Sequence, residues 1–222
     1  MKYKGVFWDI DDTLYDASAP WDVDVGTERE LMLGKRKLEV LTEDQLSCFK
    51  PYKGLSELMQ DIPREKQGII SNGGHQLQID KLKLLEVYEY LNPELIFTSY
   101  GEIEKILKDS EHPLFKEAIK YLDNKEELFF NLRGYTGKPN SYMFERALEK
   151  IKVGEKCSSV EDYVIIGDDW KDIEGAQKVG MDNILISRDE KHLHNPWTNK
   201  IITPNQIVER GNIDELRKLL FN

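Results

Sequence analysis

The chain has 222 residues, of which 40% are hydrophobic and 10% aromatic. This is enough apolar material for one substantial domain, and too much for an intrinsically disordered chain. The formal net charge of −10 argues against nucleic acid or an anionic membrane surface as a partner. No apolar segment approaches the roughly 20 residues that a membrane span needs.

Two features concern the cellular compartment. Met1 leads almost directly into a predicted strand, so we expect no secretory signal in front of it. The two cysteines, Cys48 and Cys157, lack metal-ligand spacing and suit a reducing environment better than a disulfide scaffold. We therefore expect a cytoplasmic protein.

Short apolar runs typical of buried strands alternate with helical patterns along most of the chain. The predicted strands, in chain order, are Tyr3–Asp9, Gln67–Ser71, Glu94–Thr98, Asp162–Gly167, Asn183–Ser187 and Lys200–Thr203. The predicted helices are Gly54–Gln60, Gln76–Tyr88, Pro113–Leu122, Asn140–Ile151 and a last helix with Asn212 as its N-cap. This alternation predicts an α/β fold, a three-layer Rossmann-like architecture with a parallel sheet between helices.

Two segments interrupt the alternation. Residues 1–16 and 51–222 form the predicted core domain, residues 17–50 form a small helical cap, and an insert occupies about 100–136. Both segments leave the carboxyl ends of predicted strands, where open α/β sheets bind their ligands. Either segment could therefore close over a site, and the sequence leaves open which one does.

The first predicted strand ends in a cluster of acidic residues. Asp9 and Asp11 project to the same side of an extended chain, because side chains alternate along a strand. Carboxylates held this close repel each other unless a cation, a shared proton or solvent offsets their charge. The cluster indicates a phosphoryl-transfer site, and the alternative is an acidic turn after an edge strand.

Two later signals also follow predicted strands or precede helices. Ser71, Asn72 and Gly73 end the second strand with a hydroxyl, an amide and a flexible turn that can approach phosphate oxygens. The same combination is common turn chemistry. Lys138 precedes a helix, where it could supply the positive charge that holds carboxylates and phosphate together.

A second acidic cluster ends the fourth predicted strand. Asp168, Asp169 and Asp172 follow Gly167 within five residues. Hard oxygen ligands of this kind suit Mg²⁺, which proteins commonly hold by one or two carboxylates plus a substrate phosphate.

Together these signals resemble the haloacid dehalogenase-like (HAD) hydrolase superfamily, over roughly residues 1–15 and 51–190. The four family motifs match at Asp9, Asp11 and Thr13, at Ser71, at Lys138, and at Gly167, Asp168 and Asp172. A true haloacid dehalogenase lacks the second acidic residue of the first motif. The presence of Asp11 therefore favours phosphate chemistry over halide chemistry.

The resemblance implies a role for each matching residue. Asp9 would attack phosphorus and form an aspartyl-phosphate, and Asp11 would protonate the leaving oxygen and then activate water. The Asp9 and Asp168 carboxylates, with the Asp11 backbone carbonyl, would hold Mg²⁺. The phosphoryl group would be bound by Thr13, Ser71, Asn72, Gly73 and Lys138. Either Asp169 or Asp172 would be the second acidic partner.

The family resemblance implies a Mg²⁺-dependent phosphatase acting on a small-molecule phosphomonoester. The alternatives are a phosphomutase of the β-phosphoglucomutase type and a non-catalytic binding protein on the same scaffold. His75 could contact the substrate, or lie on the surface as a helix-terminal histidine. Arg133 could bind a second anionic group of the substrate, although surface arginines are common. We expect a monomer or a homodimer.

Overall fold

A six-stranded parallel sheet forms the centre of the computed structural model, which describes residues 1–17, 46–118, 125–152, 159–187 and 194–222. The strands are β1 Gly5–Trp8, β2 Gln67–Ser71, β3 Ile96–Thr98, β4 Tyr163–Gly167, β5 Asp182–Ser187, β6 His194–Asn195, β7 Lys200–Ile201 and β8 Gln206–Glu209. The sheet order is β3-β2-β1-β4-β5-β8, with every neighbouring pair parallel. β6 and β7 form a separate antiparallel pair.

Helices cover both faces of this sheet. They are α1 Leu55–Asp61, α2 His75–Leu84, α3 Ser99–Lys108, α4 Pro113–Ala118, α5 Lys125–Thr136, α6 Tyr142–Ile151, α7 Trp170–Val179 and α8 Ile213–Phe221. Alternate residues of β1 enter different cores: Val6 and Trp8 pack on the side of α1, α2 and α8, and Phe7 packs on the side of α6 and α7. This alternation follows from strand geometry and confirms the predicted three-layer α/β fold.

The prediction of a sheet strand at Lys200–Thr203 is wrong. Ile201 is 72% exposed in the small antiparallel pair. The sixth sheet strand is β8 instead, at the edge of the sheet, where Val208 is its buried hydrophobic residue. An edge strand carries little of the apolar signal that identifies the buried central strands.

The two interrupting segments are described to different extents. Residues 18–45, most of the predicted cap, lie outside the described residues. In the second segment, α3 and α5 form a small core of their own, made of Tyr100, Ile103, Ile106, Leu128 and Leu132. Among the described residues, no helix is long and apolar enough to cross a membrane.

The topology places the predicted site at one edge of the sheet, the edge that the carboxyl ends of its strands form. β1 pairs in parallel with both β2 and β4, so the carboxyl ends of these three strands lie side by side. The hydrogen-bond ladder between β1 and β4 continues past the end of β1, since the Asp9 N–H donates to the Ile166 carbonyl at 2.8 Å. Asp9, Ser71 and Asp168 therefore converge at this edge.

Candidate active site

A lysine between two aspartates forms the centre of the site. The Lys138 Nζ donates to Asp9 Oδ1 at 2.5 Å and also bonds the Asp172 carboxylate. It donates a further bond to the Ile70 carbonyl at 3.3 Å. All three charged side chains are at least nine-tenths buried. The motif residues, 129 and 34 positions apart in the chain, thus form one buried ionic cluster.

Three carboxylates converge closely enough to bind one cation. Asp9, Asp168 and Asp172 each offer an oxygen, and these oxygens lie within 4.8 Å of one another. Hard carboxylate oxygens in this arrangement fit a Mg²⁺ ion. The carboxylate of Asp11 does not belong to this group among the described residues.

The local charge balance also fits a divalent cation. Five carboxylates lie at this edge, those of Asp9, Asp11, Asp12, Asp168 and Asp172. Three basic side chains bond them, those of Lys81, Lys138 and Arg210. When all five carboxylates are ionised, as metal binding requires, five against three leaves two negative charges in excess among these residues, which one Mg²⁺ would neutralise.

Burial and crowding perturb the ionisation of the cluster. Burial, together with the neighbouring charges of Asp9 and Asp172, raises the pKa of Asp168 to about 9. Burial likewise raises the pKa of Asp9, although Lys138 opposes this shift. Burial alone would lower the pKa of Lys138, but Asp172 and Asp9 hold it well above its ordinary value. The lysine is therefore a permanent cation beside carboxylates that resist ionisation.

The first turn of α7 determines which aspartate enters the cluster. Asp169 is the N-cap, and its side chain accepts from the Lys171 N–H at 3.3 Å and pairs with the Lys171 Nζ at 2.8 Å. Asp172 lies one turn later and accepts from the Asp169 N–H at 3.2 Å through Oδ2. Its other oxygen faces Lys138. The structure thus brings Asp172, and not Asp169, into contact with the cluster.

The turn after β2 is tied to the lysine by its amide side chain. Asn72 Oδ1 accepts from the Lys138 N–H at 2.9 Å. Gly73 adopts φ +130°, and a Cβ there would come within 2.8 Å of the Gln78 Nε2, so the turn requires glycine. The Ser71 hydroxyl accepts from the same Gln78 Nε2 at 3.2 Å. These contacts hold the predicted phosphate-binding residues beside Lys138.

Thr13 and Asp168 meet across the crevice, and an arginine that sequence reasoning missed joins Asp168 to Asp12. The Thr13 Oγ1 donates to Asp168 Oδ1 at 3.5 Å. Arg210 bonds Asp12 at 2.6 Å and lies 3.6 Å from Asp168 Oδ2. The arginine follows the edge strand β8, 198 positions after Asp12, so no local pattern in the sequence connects it with the site.

Asp11 has a second lysine as its partner. The Lys81 Nζ donates to both Asp11 oxygens, at 2.6 and 2.8 Å, and the Tyr15 hydroxyl donates to Oδ1 at 2.5 Å. Burial would raise the pKa of Asp11, but Lys81 and Tyr15 hold it below its ordinary value. No pattern in the sequence pointed to Lys81, which lies three residues after Gln78 and beside Leu82 on a face of α2 that only the structure shows to be buried.

The remaining two predicted residues lie in different places. Arg133 lines a groove of 720 Å³ that also includes Lys138, Lys171, Lys178 and Trp197. The His75 Nδ1 and the Thr98 hydroxyl form a hydrogen bond of 3.3 Å. His75 lines a separate cleft of 540 Å³ together with Phe97, Lys105 and Arg146. The structure therefore places Arg133 near the lysine of the site and His75 apart from the acidic cluster.

Comparisons with known proteins agree with the fold. Residues 135–210 match the model of the HAD-hydrolase-like family, a range that includes Lys138 and the second acidic cluster. A search of curated proteins finds no match to this sequence. This match confirms the resemblance over the part of the chain that holds the third and fourth motifs, and the solved structures show the same fold.

Three solved structures resemble the chain over nearly its whole length. YfnB of Bacillus subtilis, assigned as a HAD-hydrolase and bound to magnesium, has a TM-score of 0.58 at 16% identity, with 100% of both chains covered. A Thermotoga maritima protein assigned as a β-phosphoglucomutase has a TM-score of 0.56 at 14% identity, covering 98% of this chain and 100% of its own. A Lactobacillus delbrueckii protein assigned as a phosphoglycolate phosphatase has a TM-score of 0.55 at 16% identity, covering 99% of both. The chain has the fold of the HAD-superfamily hydrolases.

Proposed function

We propose that this protein is a Mg²⁺-dependent phosphatase that hydrolyses a small-molecule phosphomonoester through an aspartyl-phosphate on Asp9. The observation that carries the proposal is the buried cluster in which Lys138 bonds Asp9 and Asp172 while Asp168 completes a group of three carboxylates. Such a cluster is costly for a stable core. It suits a site that must hold a dianionic phosphoryl group among carboxylates.

In the first step, a carboxylate oxygen of Asp9 attacks phosphorus in line with the leaving group. Asp11 is ionised in the free protein, because Lys81 and Tyr15 lower its pKa, and it takes up a proton when the negatively charged ester binds beside it. The bond from phosphorus to the leaving oxygen breaks as the new bond forms, and that proton passes from Asp11 to the leaving oxygen. The products of this step are a free alcohol, an aspartyl-phosphate on Asp9 and an ionised Asp11.

In the second step, Asp11 accepts a proton from water as the water oxygen attacks phosphorus. The bond between phosphorus and the Asp9 oxygen breaks, inorganic phosphate leaves, and Asp11 is protonated again for the next turnover. Splitting the transfer in this way replaces one difficult displacement by two easier ones.

Mg²⁺ would be held by the Asp9 and Asp168 carboxylates and the Asp11 backbone carbonyl, and would neutralise the negative charge of the carboxylates and the phosphoryl group. Asp172 holds Lys138 in place beside Asp9. We assign Lys138, Thr13, Ser71 and Asn72 to binding the transferred group.

Arg133 supports a further part of the proposal. It lies in the groove next to Lys138, and its planar guanidinium can bind a carboxylate or phosphate through two parallel hydrogen bonds. We propose that it contacts an anionic group of the substrate other than the reacting phosphate. Replacing Arg133 with Met should then raise KM for esters that carry such a group and leave KM unchanged for esters without one.

The direct test is phosphate release from a panel of nucleotides, sugar phosphates, phosphoglycolate and an aryl phosphate, with Mg²⁺ and with EDTA. Asp9→Asn removes the nucleophile and keeps its size, whereas Asp214→Asn makes the same change at an exposed position on α8. We expect release that requires Mg²⁺, that is abolished in Asp9→Asn and that is retained in Asp214→Asn.

Two other outcomes would point to the alternatives. Transfer of the phosphoryl group to a second sugar hydroxyl, without release of phosphate, would identify a phosphomutase. Binding of phosphate esters without any turnover by the folded protein would identify a non-catalytic binding protein. Release that persists in EDTA would contradict the metal site.

A further inference from the structure

Lys81 is a buried lysine whose contact with the site is not explained by phosphate binding or metal binding. It is 4% exposed, lies in the middle of α2 and reaches Asp11, which is 70 positions earlier in the chain. A buried ammonium group is costly unless it is paired and hydrogen-bonded. Here the pairing falls on the residue proposed to transfer protons.

The contact holds the whole carboxylate rather than one atom of it. The Lys81 Nζ bonds Oδ1 at 2.6 Å and Oδ2 at 2.8 Å, so rotation of the carboxylate about its own axis would break a bond. The Tyr15 hydroxyl adds a bond at 2.5 Å to Oδ1. The Tyr15 ring is itself fully buried and stacks on Phe49 at 5.1 Å between ring centroids. Both donors are thus held by the core.

The partner carboxylate remains open to the crevice. The Asp11 side chain is 38% exposed, whereas the Lys81 side chain is 5% exposed. Oδ1 accepts two of these bonds and Oδ2 accepts one. A carboxylate oxygen has two lone-pair sites, so among the described residues Oδ2 keeps capacity for a further partner.

We propose that Lys81 is a positioning residue for proton transfer, which holds the Asp11 carboxylate so that Oδ2 is the atom that exchanges the proton with the leaving oxygen and with water. This inference rests on the proposed phosphatase function. It extends that function to a residue outside the four motifs. Tyr15 assists by occupying Oδ1.

The test compares two substrates that differ in their need for a proton. An alkyl phosphate leaves as a poor alkoxide and requires protonation, whereas 4-nitrophenyl phosphate leaves as a stabilised anion and does not. For Lys81→Met we expect kcat/KM to fall about 100-fold for the alkyl ester and less than about threefold for the aryl ester. The parameter kcat/KM reports the step in which the leaving group departs.

Two further variants keep the test independent of folding. Tyr15→Phe keeps the buried ring and removes the donor to Oδ1. We therefore expect kcat/KM to fall about fivefold for the alkyl ester and to stay unchanged for the aryl ester. Lys83→Met makes the matched change at an exposed lysine on the same helix and should leave both substrates unchanged. Circular dichroism and the melting temperature verify that each variant is folded.

The outcomes separate the inference from the proposed function. An equal loss for both esters in Lys81→Met, or no loss for either, overturns the positioning role while the wild-type enzyme still turns over. A wild-type protein that hydrolyses neither ester overturns the phosphatase proposal, and the role of Lys81 with it.

Discussion

Gly167 and Asp172 approach so closely that a Cβ on Gly167 would overlap the Asp172 carboxylate. The glycine ends β4 and the aspartate lies in the first turn of α7, so the strand and the helix approach each other closely at this position. The absence of a side chain at Gly167 is what lets the Asp172 carboxylate reach Lys138. The family motif therefore has a steric basis in this chain.

Gly167→Ala should displace Asp172 and disturb the lysine between the two aspartates. Overpacking of a rigid buried position costs about 1 to 3 kcal/mol in the free energy of unfolding, and we expect phosphatase activity to fall as Lys138 loses its alignment. Urea denaturation measures the loss in the free energy of unfolding. Gly134→Ala is the matched control for stability, because a Cβ at Gly134 meets nothing within 4 Å and alanine favours its helix. Equal stability of both variants would contradict the steric argument.

Lys138→Met should be the most destabilising single change in the site. Removing the ammonium leaves Asp9 and Asp172 buried without their shared cation, and breaking a buried pair in this way costs about 3 to 5 kcal/mol. Urea denaturation with and without Mg²⁺ checks this. We expect a smaller loss of stability with Mg²⁺ present, because the metal ion would supply positive charge to the same carboxylates. An identical loss in both conditions would mean that Mg²⁺ does not reach the cluster.

Mg²⁺ should stabilise the protein more strongly as the pH rises. The pKa of Asp168 is raised to about 9 in the folded protein from an ordinary value of about 4. The folded protein therefore keeps a proton that the unfolded chain releases. The contribution of Asp168 to the free energy of unfolding is fully present below about pH 4 and is lost as the pH rises through about 9. Mg²⁺ binds the ionised carboxylate and offsets that loss.

The measurement for this pH effect is the melting temperature with Mg²⁺ and with EDTA at about pH 6 and about pH 9. We expect the difference in melting temperature between Mg²⁺ and EDTA to be larger at the higher pH. A Mg²⁺ effect that does not change with pH would contradict the raised pKa of the cluster.

Arg210→Met should weaken Mg²⁺ binding without removing a proposed ligand. Arg210 lies 3.6 Å from Asp168 Oδ2 while it bonds Asp12 at 2.6 Å, so it helps to orient a proposed ligand. Loss of such a supporting contact reduces metal affinity by about 10-fold or more. A titration of the melting temperature with Mg²⁺ gives the affinity, and Arg217→Met, at a more exposed pair with Asp61, is the control. Equal affinities in the two variants would exclude this role.

Much of the fold could be predicted because buried parallel strands have a distinct sequence pattern. β2 is Gln67–Ser71 in both the prediction and the structure, since both faces of a central strand are covered and Ile69 and Ile70 are apolar in succession. β8 was missed because an edge strand needs few apolar residues. The successive apolar residues Ile201 and Ile202 have the sequence pattern of a sheet strand. They lie instead at the small antiparallel ribbon of β6 and β7, where Ile201 is exposed.

The candidate site was predicted only where its residues belong to a recognisable motif. The sequence left open whether Asp169 or Asp172 completes the cluster, because both are close to Asp168. The contacts of the α7 N-terminus decide this in the structure, where Asp169 is the N-cap and Asp172 faces Lys138. Lys81 and Arg210 depend on tertiary contacts across 70 and 198 positions, which no local pattern reports.

The central claim is that Asp9 carries the phosphoryl group, and the most direct measurement is to trap that group. Wild-type protein is mixed with Mg²⁺ and its best substrate, quenched in acid within the first turnover, and digested for peptide mass spectrometry. We predict a phosphate on the peptide that contains Asp9, and none in Asp9→Asn or with EDTA. Turnover without a phosphorylated peptide, or with the phosphate on a different residue, would contradict the account.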